Sequence, residues 1–122
     1  MVVAKILIAE DSSTAVELLK RALAPLGHTL IVATNGQDAE QAIKKELPDL
    51  VILDIIMPKM NGFQLCRTLR SDPAHQNLPI IVITSMERES DRYWGLKQGA
   101  SEYLVKPVDP SILVQKVQNY LR

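Results

Sequence analysis

The segment Leu50-Val51-Ile52-Leu53-Asp54 decides the fold of this chain. Its first four residues are apolar without interruption, whereas a strand with one face in water alternates apolar and polar side chains. The unbroken run therefore predicts a strand buried on both faces, as in the middle of a parallel sheet. Because the run ends at Asp54, this strand carries a carboxylate to its carboxyl end.

Short apolar runs and longer amphipathic segments alternate on both sides of this strand. The five predicted strands cover residues 5–10, 29–33, 50–53, 80–83 and 103–105, and a helix is predicted after each of them. Five such units in series build a parallel sheet with helices on both faces and right-handed crossovers. We therefore expect one α/β domain over residues 1–122, a doubly wound five-stranded parallel sheet with five helices.

The limits of the helices follow from capping residues and apolar spacing. Ser12 or Ser13 begins the first helix, Asn61-Gly62 begins the third, the fourth covers residues 87–98, and Pro110 lies in the first turn of the fifth. The side chains expected to point inward are Val16, Leu19, Leu23, Leu26, Phe63, Cys66, Leu69, Tyr93, Leu96, Ile112, Leu113, Val117 and Tyr120. Those expected to face water are His28, Arg67, Arg70 and His75.

The composition excludes several classes of protein. The 122 residues carry 14 basic and 14 acidic side chains, so the chain has neither the basic face of a nucleic-acid-binding protein nor a polybasic membrane anchor. Its single cysteine, Cys66, can form neither an intramolecular disulfide nor a cysteine metal cluster. The first apolar run is too short for a signal peptide or a membrane span, so we expect a cytoplasmic protein.

Polar side chains follow four of the five predicted strands. They are Glu10 and Asp11 after the first, Asp54 after the third, Thr84 and Ser85 after the fourth, and Lys106 after the fifth. Each alone could be an ordinary helix cap or turn residue. Ligands of open α/β sheets, however, bind beyond the carboxyl ends of the strands, so residues that meet at this edge favour a functional site.

The charges of this set point to a metal ion. Two like charges ~4 Å apart repel by about 4 kcal/mol at an effective dielectric constant of about 20, so three carboxylates in one cleft need counter-ions. Lys106 offsets one charge, and a divalent cation could offset the rest. Oxygen ligands without histidine or cysteine favour Mg²⁺ or Mn²⁺ over Zn²⁺. Carboxylates, a hydroxyl and a lysine beside such an ion suit phosphoryl transfer, with Asp54 as the acceptor.

These residues resemble the receiver domain of two-component response regulators, the CheY-like family. The resemblance covers the whole chain and rests on Glu10-Asp11, residues 54–62, Thr84 and residues 99–107. It implies a flavodoxin-like fold with strand order 2-1-3-4-5. It also implies a phosphoacceptor that catalyses its own phosphorylation and dephosphorylation rather than an enzyme.

For the acceptor site, the resemblance implies that Asp54 takes a phosphoryl group from the phosphohistidine of a sensor histidine kinase or a phosphotransfer protein. Mg²⁺ (or Mn²⁺) would be held by Asp11, Asp54 and the backbone carbonyl of Ile56, with Glu10 binding it directly or through water. Lys106 would pair with the acyl phosphate. The product would be a phosphorylated Asp54 whose negative charge is offset by the metal ion and by the ammonium group of Lys106.

For signalling, the resemblance implies that Thr84 moves onto a phosphate oxygen, that Tyr103 follows it inward, and that the Lys106-Pro107 peptide bond is cis. A partner protein would then bind the face formed by the fourth helix, the fifth strand and the fifth helix. Residues 91–100 further resemble the single-domain regulators of type IV pilus and phototaxis pathways, especially those of cyanobacteria. Trp94 in this segment could either pack against the core or anchor a partner.

The chain departs from the family pattern at Glu10, Ile56 and Met86. Glu10 replaces the commoner aspartate, and the apolar Ile56 and Met86 stand where other receivers flank the path of the hydrolytic water. We therefore expect slow self-dephosphorylation. A phosphatase of the haloacid dehalogenase type would need an aspartate at position 56, and the glycine patterns of P-loop and dinucleotide-binding proteins are absent. A pseudo-receiver that is never phosphorylated and acts only as a protein-binding module is the remaining alternative.

Overall fold

A computed structural model of the chain describes residues 3–121. Strands and helices alternate in the order β1 (Lys5–Ala9), α1 (Ser13–Leu23), β2 (Thr29–Ala33), α2 (Gly36–Glu46), β3 (Leu50–Leu53), α3 (Gly62–Arg70), β4 (Ile80–Thr84), α4 (Glu89–Lys97), β5 (Glu102–Val105) and α5 (Pro110–Tyr120). Short 3-10 turns at Ala24–Leu26 and Pro73–His75 follow α1 and α3. The five strands are parallel and lie in the order β2-β1-β3-β4-β5, which confirms the predicted fold.

The core lies on both faces of the sheet. All residues of β3 and β4 are buried, as the unbroken apolar run predicted for β3. Ala39, Ile43, Leu65 and Leu69 from α2 and α3 pack on one face. The other face is covered by side chains of α1 and α5, namely Leu19, Leu23, Leu113 and Val117.

Side-chain caps fix where the helices begin. The Ser12 hydroxyl accepts a hydrogen bond from the Ala15 backbone N–H at 3.3 Å, so Ser12 rather than Ser13 caps α1. Asn61 and Gln64 form a reciprocal capping box at the start of α3. Because an N-cap satisfies backbone N–H groups that the helix itself leaves free, these polar residues set the point at which each helix begins.

Helix α4 contradicts the predicted pattern. It spans Glu89–Lys97 rather than residues 87–98, and Tyr93 and Leu96, which we expected to point inward, are 59% and 43% exposed. The only buried residue of α4 is Gly95. Since glycine has no side chain, apolar spacing could not reveal that the buried face of this helix is centred on it.

Four other burial predictions are wrong, and the first concerns His28, which is partly buried and accepts a hydrogen bond from the Ala4 N–H on its Nδ1 at 3.0 Å. Ile112 at the start of α5 is 44% exposed, whereas the ring of His75 is buried. Arg70 does not simply face water, because its guanidinium donates to the carbonyl of Gly99 at 2.9 Å and to that of His75 at 2.8 Å. Arg70 thus connects the end of α3 to the turn around His75 and to the residues that follow α4. Arg67, by contrast, is exposed as predicted.

No helix within residues 3–121 is both long and apolar enough to cross a membrane.

Candidate functional site

The register of the sheet places Glu10 beside Asp54. Ala9 of β1 pairs with Leu53 of β3, so the residues that follow them leave the sheet at the same level. The Asp54 N–H continues the ladder by donating to the carbonyl of Ala9 at 3.0 Å. Both carboxylates are buried, Glu10 with 2% and Asp54 with 6% of its surface exposed.

Lys106 bridges these two carboxylates. Its Nζ lies 2.6 Å from Glu10 Oε1 and 2.9 Å from Asp54 Oδ2. Lys106 follows β5 and reaches both carboxylates across the end of β4, which lies between β3 and β5 in the sheet. The Lys106 backbone N–H donates to the carbonyl of Thr84 at 2.8 Å, which fixes where the side chain leaves β5. Two buried carboxylates therefore share one ammonium group, and the site keeps a net negative charge.

The pKa values of the pair reflect this geometry. Burial raises the pKa of Glu10, with the charge of Asp54 adding to it and the Lys106 hydrogen bond opposing it. Burial acts to lower the pKa of Lys106, but its hydrogen bonds to Glu10 and Asp54 outweigh this and leave that pKa raised. The ammonium form of Lys106 is thus stabilised by the anions that it holds together.

The remaining carboxylate oxygens accept hydrogen bonds from the backbone. Glu10 Oε2 accepts from the Ser12 N–H and Asp54 Oδ1 accepts from the Ile56 N–H, each at 3.2 Å. Asp11, the next acidic residue after Glu10, is exposed. The Asp54 side chain is therefore held from two sides, by Lys106 and by the loop that follows β3.

The oxygen donors at this edge fit a hard divalent cation. No three His, Cys, Asp or Glu side chains within residues 3–121 form a metal site by themselves. Mg²⁺ does not require such a cage, because it keeps several waters and usually takes only one or two carboxylates together with phosphate oxygens. Asp11, Asp54 and the backbone carbonyl of Ile56 could supply such a set, whereas Glu10 is held by Lys106 in this structure.

Thr84 and Tyr103 meet at the backbone of Met86. Thr84 ends β4 with no exposed surface, and its Oγ1 accepts a hydrogen bond from the Met86 N–H at 3.4 Å. The Tyr103 side chain is buried, and its hydroxyl donates to the Met86 carbonyl at 2.7 Å. Burial, and to a smaller extent the charges of Asp91 and Asp54, raise the pKa of Tyr103 to about 12. Both side chains are thus hydrogen-bonded to the backbone of Met86, and the ring of Tyr103 already lies inward in this structure, whereas the resemblance implied that it moves inward with Thr84.

Comparison with known families agrees with this arrangement. A sequence model described as "Response regulator receiver domain" matches residues 6–118, which is most of the chain and includes every residue of the site. The chain belongs to the response regulator receiver domain family.

Relatives of this receiver include both short and long proteins. It is 41% identical over 118 residues to protein PilH of Pseudomonas aeruginosa, covering 97% of this chain and 98% of PilH. It is 36% identical over 119 residues to the response regulator PleD of Caulobacter vibrioides, covering 98% of this chain but only 26% of PleD. A crystal structure of a protein of Chloroflexus aurantiacus described as a response regulator superimposes with a TM-score of 0.94 at 36% identity, covering 98% of each chain.

Two glycines of the receiver support the acceptor site and were not predicted to do so. A Cβ added at Gly62 would lie 2.6 Å from the carbonyl oxygen of Asp54 and 2.7 Å from the Cα of Ile55. A Cβ added at Gly36 would overlap the carbonyl oxygen of Met60. Both glycines therefore let a helix approach the loop after β3. One sign of this role for Gly62 is present in the sequence, because a helix former would otherwise be favoured at the first position after the Asn61 cap.

The other predicted residues lie around the acceptor. The Lys106-Pro107 peptide bond is cis. Ile56 is 55% exposed, and Met86 is partly buried against the core. Ser85, which adjoins Thr84, is exposed.

Helix α4 of the receiver presents aromatic residues to solvent. Trp94 is 53% exposed, so it is not a core residue. Its ring meets that of Tyr93 edge to face with centroids 6.0 Å apart, and Lys97 Nζ lies 6.0 Å from the Tyr93 ring centroid. Of the two possibilities that the sequence left open for Trp94, packing against the core is therefore excluded.

Proposed function

We propose that this receiver takes a phosphoryl group onto Asp54 from the phosphohistidine of a sensor histidine kinase or a phosphotransfer protein. The observation that carries the proposal is the Lys106 ammonium held between the two buried carboxylates of Glu10 and Asp54. Burying an ionic cluster costs desolvation free energy, and its position at the carboxyl ends of parallel strands favours a functional reason for keeping it. The exposed loop residue Asp11 leaves this edge open to a phosphorylated partner.

In the transfer, a carboxylate oxygen of Asp54 forms the bond to phosphorus while the bond from phosphorus to the histidine nitrogen breaks, and its electron pair leaves with the imidazole. Lys106, already 2.9 Å from Asp54 Oδ2, remains to neutralise the new phosphoryl charge. Asp11, Asp54 and the Ile56 carbonyl would hold Mg²⁺ or Mn²⁺, which supplies charge stabilisation for the phosphoryl oxygens. The receiver is thus a phosphoacceptor and not an enzyme that turns over a separate product.

The signal would pass through Thr84 and Tyr103. A phosphoryl group on Asp54 offers strong acceptor oxygens that the unmodified carboxylate lacks. The Thr84 hydroxyl gains that partner in only one state, and such a difference in contacts is what shifts a two-state equilibrium. The shift would change the face formed by α4, β5 and α5, where we expect a protein partner rather than nucleic acid or membrane to bind.

The pathway of this receiver is proposed from its similarity to other regulators. A role in type IV pilus motility or phototaxis fits the resemblance of residues 91–100 to regulators of those pathways. The 41% identity with PilH supports this role. The receiver itself would act in the cytoplasm.

Phosphoryl incorporation tests the proposal directly. Incubation with acetyl phosphate and Mg²⁺ should add the mass of one phosphoryl group to the receiver, as read from the intact mass. The Asp54→Asn variant should gain none, whereas Glu17→Gln, which changes an exposed acid on α1, should behave like the parent protein. If the parent protein gains no mass, the pseudo-receiver alternative is correct and the proposal is wrong.

A further inference from the structure

Gly95 lies where α4 contacts the body of the receiver. It is the only buried residue of that helix, and the large neighbours Tyr93, Trp94 and Leu96 are all exposed. Glycine is among the least favourable residues in a helix interior, because the chain loses more freedom there than with any other residue. A buried glycine in the middle of a surface helix therefore points to a steric requirement.

The ring of Tyr103 supplies that requirement. A Cβ added at Gly95 would lie 2.6 Å from Tyr103 Cδ2 and 2.8 Å from Cε2, both closer than real carbon contacts. The next nearest atom, Cε1 of Phe63, would be at an ordinary 3.7 Å. Residue 95 thus meets one obstacle only, and that obstacle is the aromatic ring proposed to move with Thr84.

The same ring is held at its far end. Its hydroxyl donates to the Met86 carbonyl at 2.7 Å, a bond that requires the ring to reach fully inward under α4. A Cβ at position 95 would occupy part of the space that the ring crosses. The inward ring and a side chain at residue 95 are therefore mutually exclusive in this geometry.

We propose that Gly95 is the positioning residue of the switch. Because it has no side chain, it leaves the space beneath α4 in which the ring of Tyr103 lies inward, and we call this space the seat of Tyr103. The large side chains Tyr93, Trp94 and Leu96 of α4 are exposed, so the side of the helix that faces the ring of Tyr103 is the one that carries Gly95. A movement of Tyr103 would then be transmitted to α4 at Gly95. This inference rests on the proposed function only for the meaning of the movement, since the close approach of Gly95 and Tyr103 is a feature of the fold.

The first test follows the Tyr103 phenol in unphosphorylated protein. The chain has three tyrosines, so ¹³C-labelled tyrosine gives three NMR signals, and Tyr103→Phe identifies the one of interest. In the parent protein this phenol should titrate near its buried pKa of about 12. In Gly95→Ala the pKa should fall toward the ordinary value of 10.0, because the ring is forced out of its seat. A Gly95→Ala protein in which Tyr103 keeps the raised pKa would overturn the proposal.

The second test asks whether Gly95→Ala shifts the urea unfolding midpoint in opposite directions in two backgrounds. Gly95→Ala should lower the urea midpoint when residue 103 is tyrosine, because the added methyl group meets the ring. In a Tyr103→Val background it should raise the midpoint, because the ring is gone and alanine is the better helix former. Ser90→Ala, at an exposed position of the same helix, is the control and should shift the midpoint equally in both backgrounds. Equal shifts for Gly95→Ala in both backgrounds would contradict the seat.

Neither measurement involves phosphate or metal. A receiver that never accepts a phosphoryl group could still show both effects, and one that is phosphorylated normally could show neither. The two proposals can therefore fail independently.

Discussion

At the acceptor site, the ammonium group of Lys106 lies between the carboxylates of Glu10 and Asp54 and offsets part of their charge. The sequence predicted that these side chains meet, because the carboxyl ends of parallel strands lie at one edge of the sheet, and the strand order was implied by the resemblance to the receiver family. It did not predict that Glu10 would face the lysine, since the longer acid was expected to reach toward a metal ion. The difference arises because β1 and β3 end level, so both carboxylates point at the one cation delivered by β5.

The first prediction concerns how two apolar side chains, Ile56 and Met86, affect the hydrolysis of phospho-Asp54. Ile56 is exposed near Asp54, and neither side chain can hydrogen-bond an attacking water. Giving that water one partner, with Ile56→Asn or Met86→Glu, should speed hydrolysis of phospho-Asp54 by about tenfold, as expected for about 1.4 kcal/mol of barrier. The rate is measured as loss of the phosphoryl mass after removal of the donor.

The control for this prediction is Ile56→Val, which changes the size of the side chain but supplies no hydrogen bond. It should leave the rate close to that of the parent receiver. If the polar variants lose the phosphoryl group no faster than Ile56→Val, the predicted slow hydrolysis has another cause.

At the scale of elements, the sequence predicted best where side chains signal the structure. Asn61 and Pro110 set the starts of α3 and α5 as expected, and the apolar run of β3 is buried throughout. Prediction failed for α4, whose contact with the core is made by Gly95, and for His75. The contact of Gly95 depends on how closely the Tyr103 ring approaches α4, which spacing along the chain does not show, and apolar spacing gives no sign that the ring of His75 is buried.

The end of α2 gives a second prediction. The helix ends at Leu47, which adopts the left-handed conformation with φ 49° and ψ 60° and leaves 65% of its surface exposed. A residue with a Cβ is strained there by about 1–2 kcal/mol, whereas glycine is not. After its own entropic cost, Leu47→Gly should stabilise the fold by about 0.5–1 kcal/mol, measured by urea unfolding.

Leu47→Ala separates backbone strain from the loss of an exposed apolar side chain. It shortens the side chain but keeps the Cβ, so it should not stabilise the receiver. If Leu47→Ala raises the free energy of unfolding as much as Leu47→Gly, relief of strain is not the reason.

At the scale of the whole molecule, the fold keeps protons on groups that the unfolded chain would release. Burial raises the pKa of the Cys66 thiol from 9.0 to about 12, with the nearby charge of Arg70 opposing it, and that of Tyr103 from 10.0 to about 12. Above pH 9 the unfolded chain therefore binds fewer protons than the folded one. Between the pKa of the unfolded group and the folded value of about 12, stability should therefore fall by up to about 1.4 kcal/mol per pH unit for each such group.

This alkaline loss is the third prediction. Urea unfolding of the parent receiver should show a free energy of unfolding that decreases from about pH 9 upward. Cys66→Ala should remove the part that begins near the thiol pKa of 9.0, and Tyr103→Phe the part that begins near 10.0. A parent protein with constant stability over this range would show that the thiol and the phenol are not protected by the fold.

The exposed indole of α4 has a practical consequence. The chain contains one tryptophan, and it lies on the face where a partner is expected to bind. Its intrinsic fluorescence therefore reports on that face alone, without labelling and without background from the core. Since Trp94 is half exposed, iodide should quench its emission in the free receiver, and a protein that covers α4 should protect it. A titration followed by quenching would thus yield the affinity of a partner and show at once whether it occupies this helix.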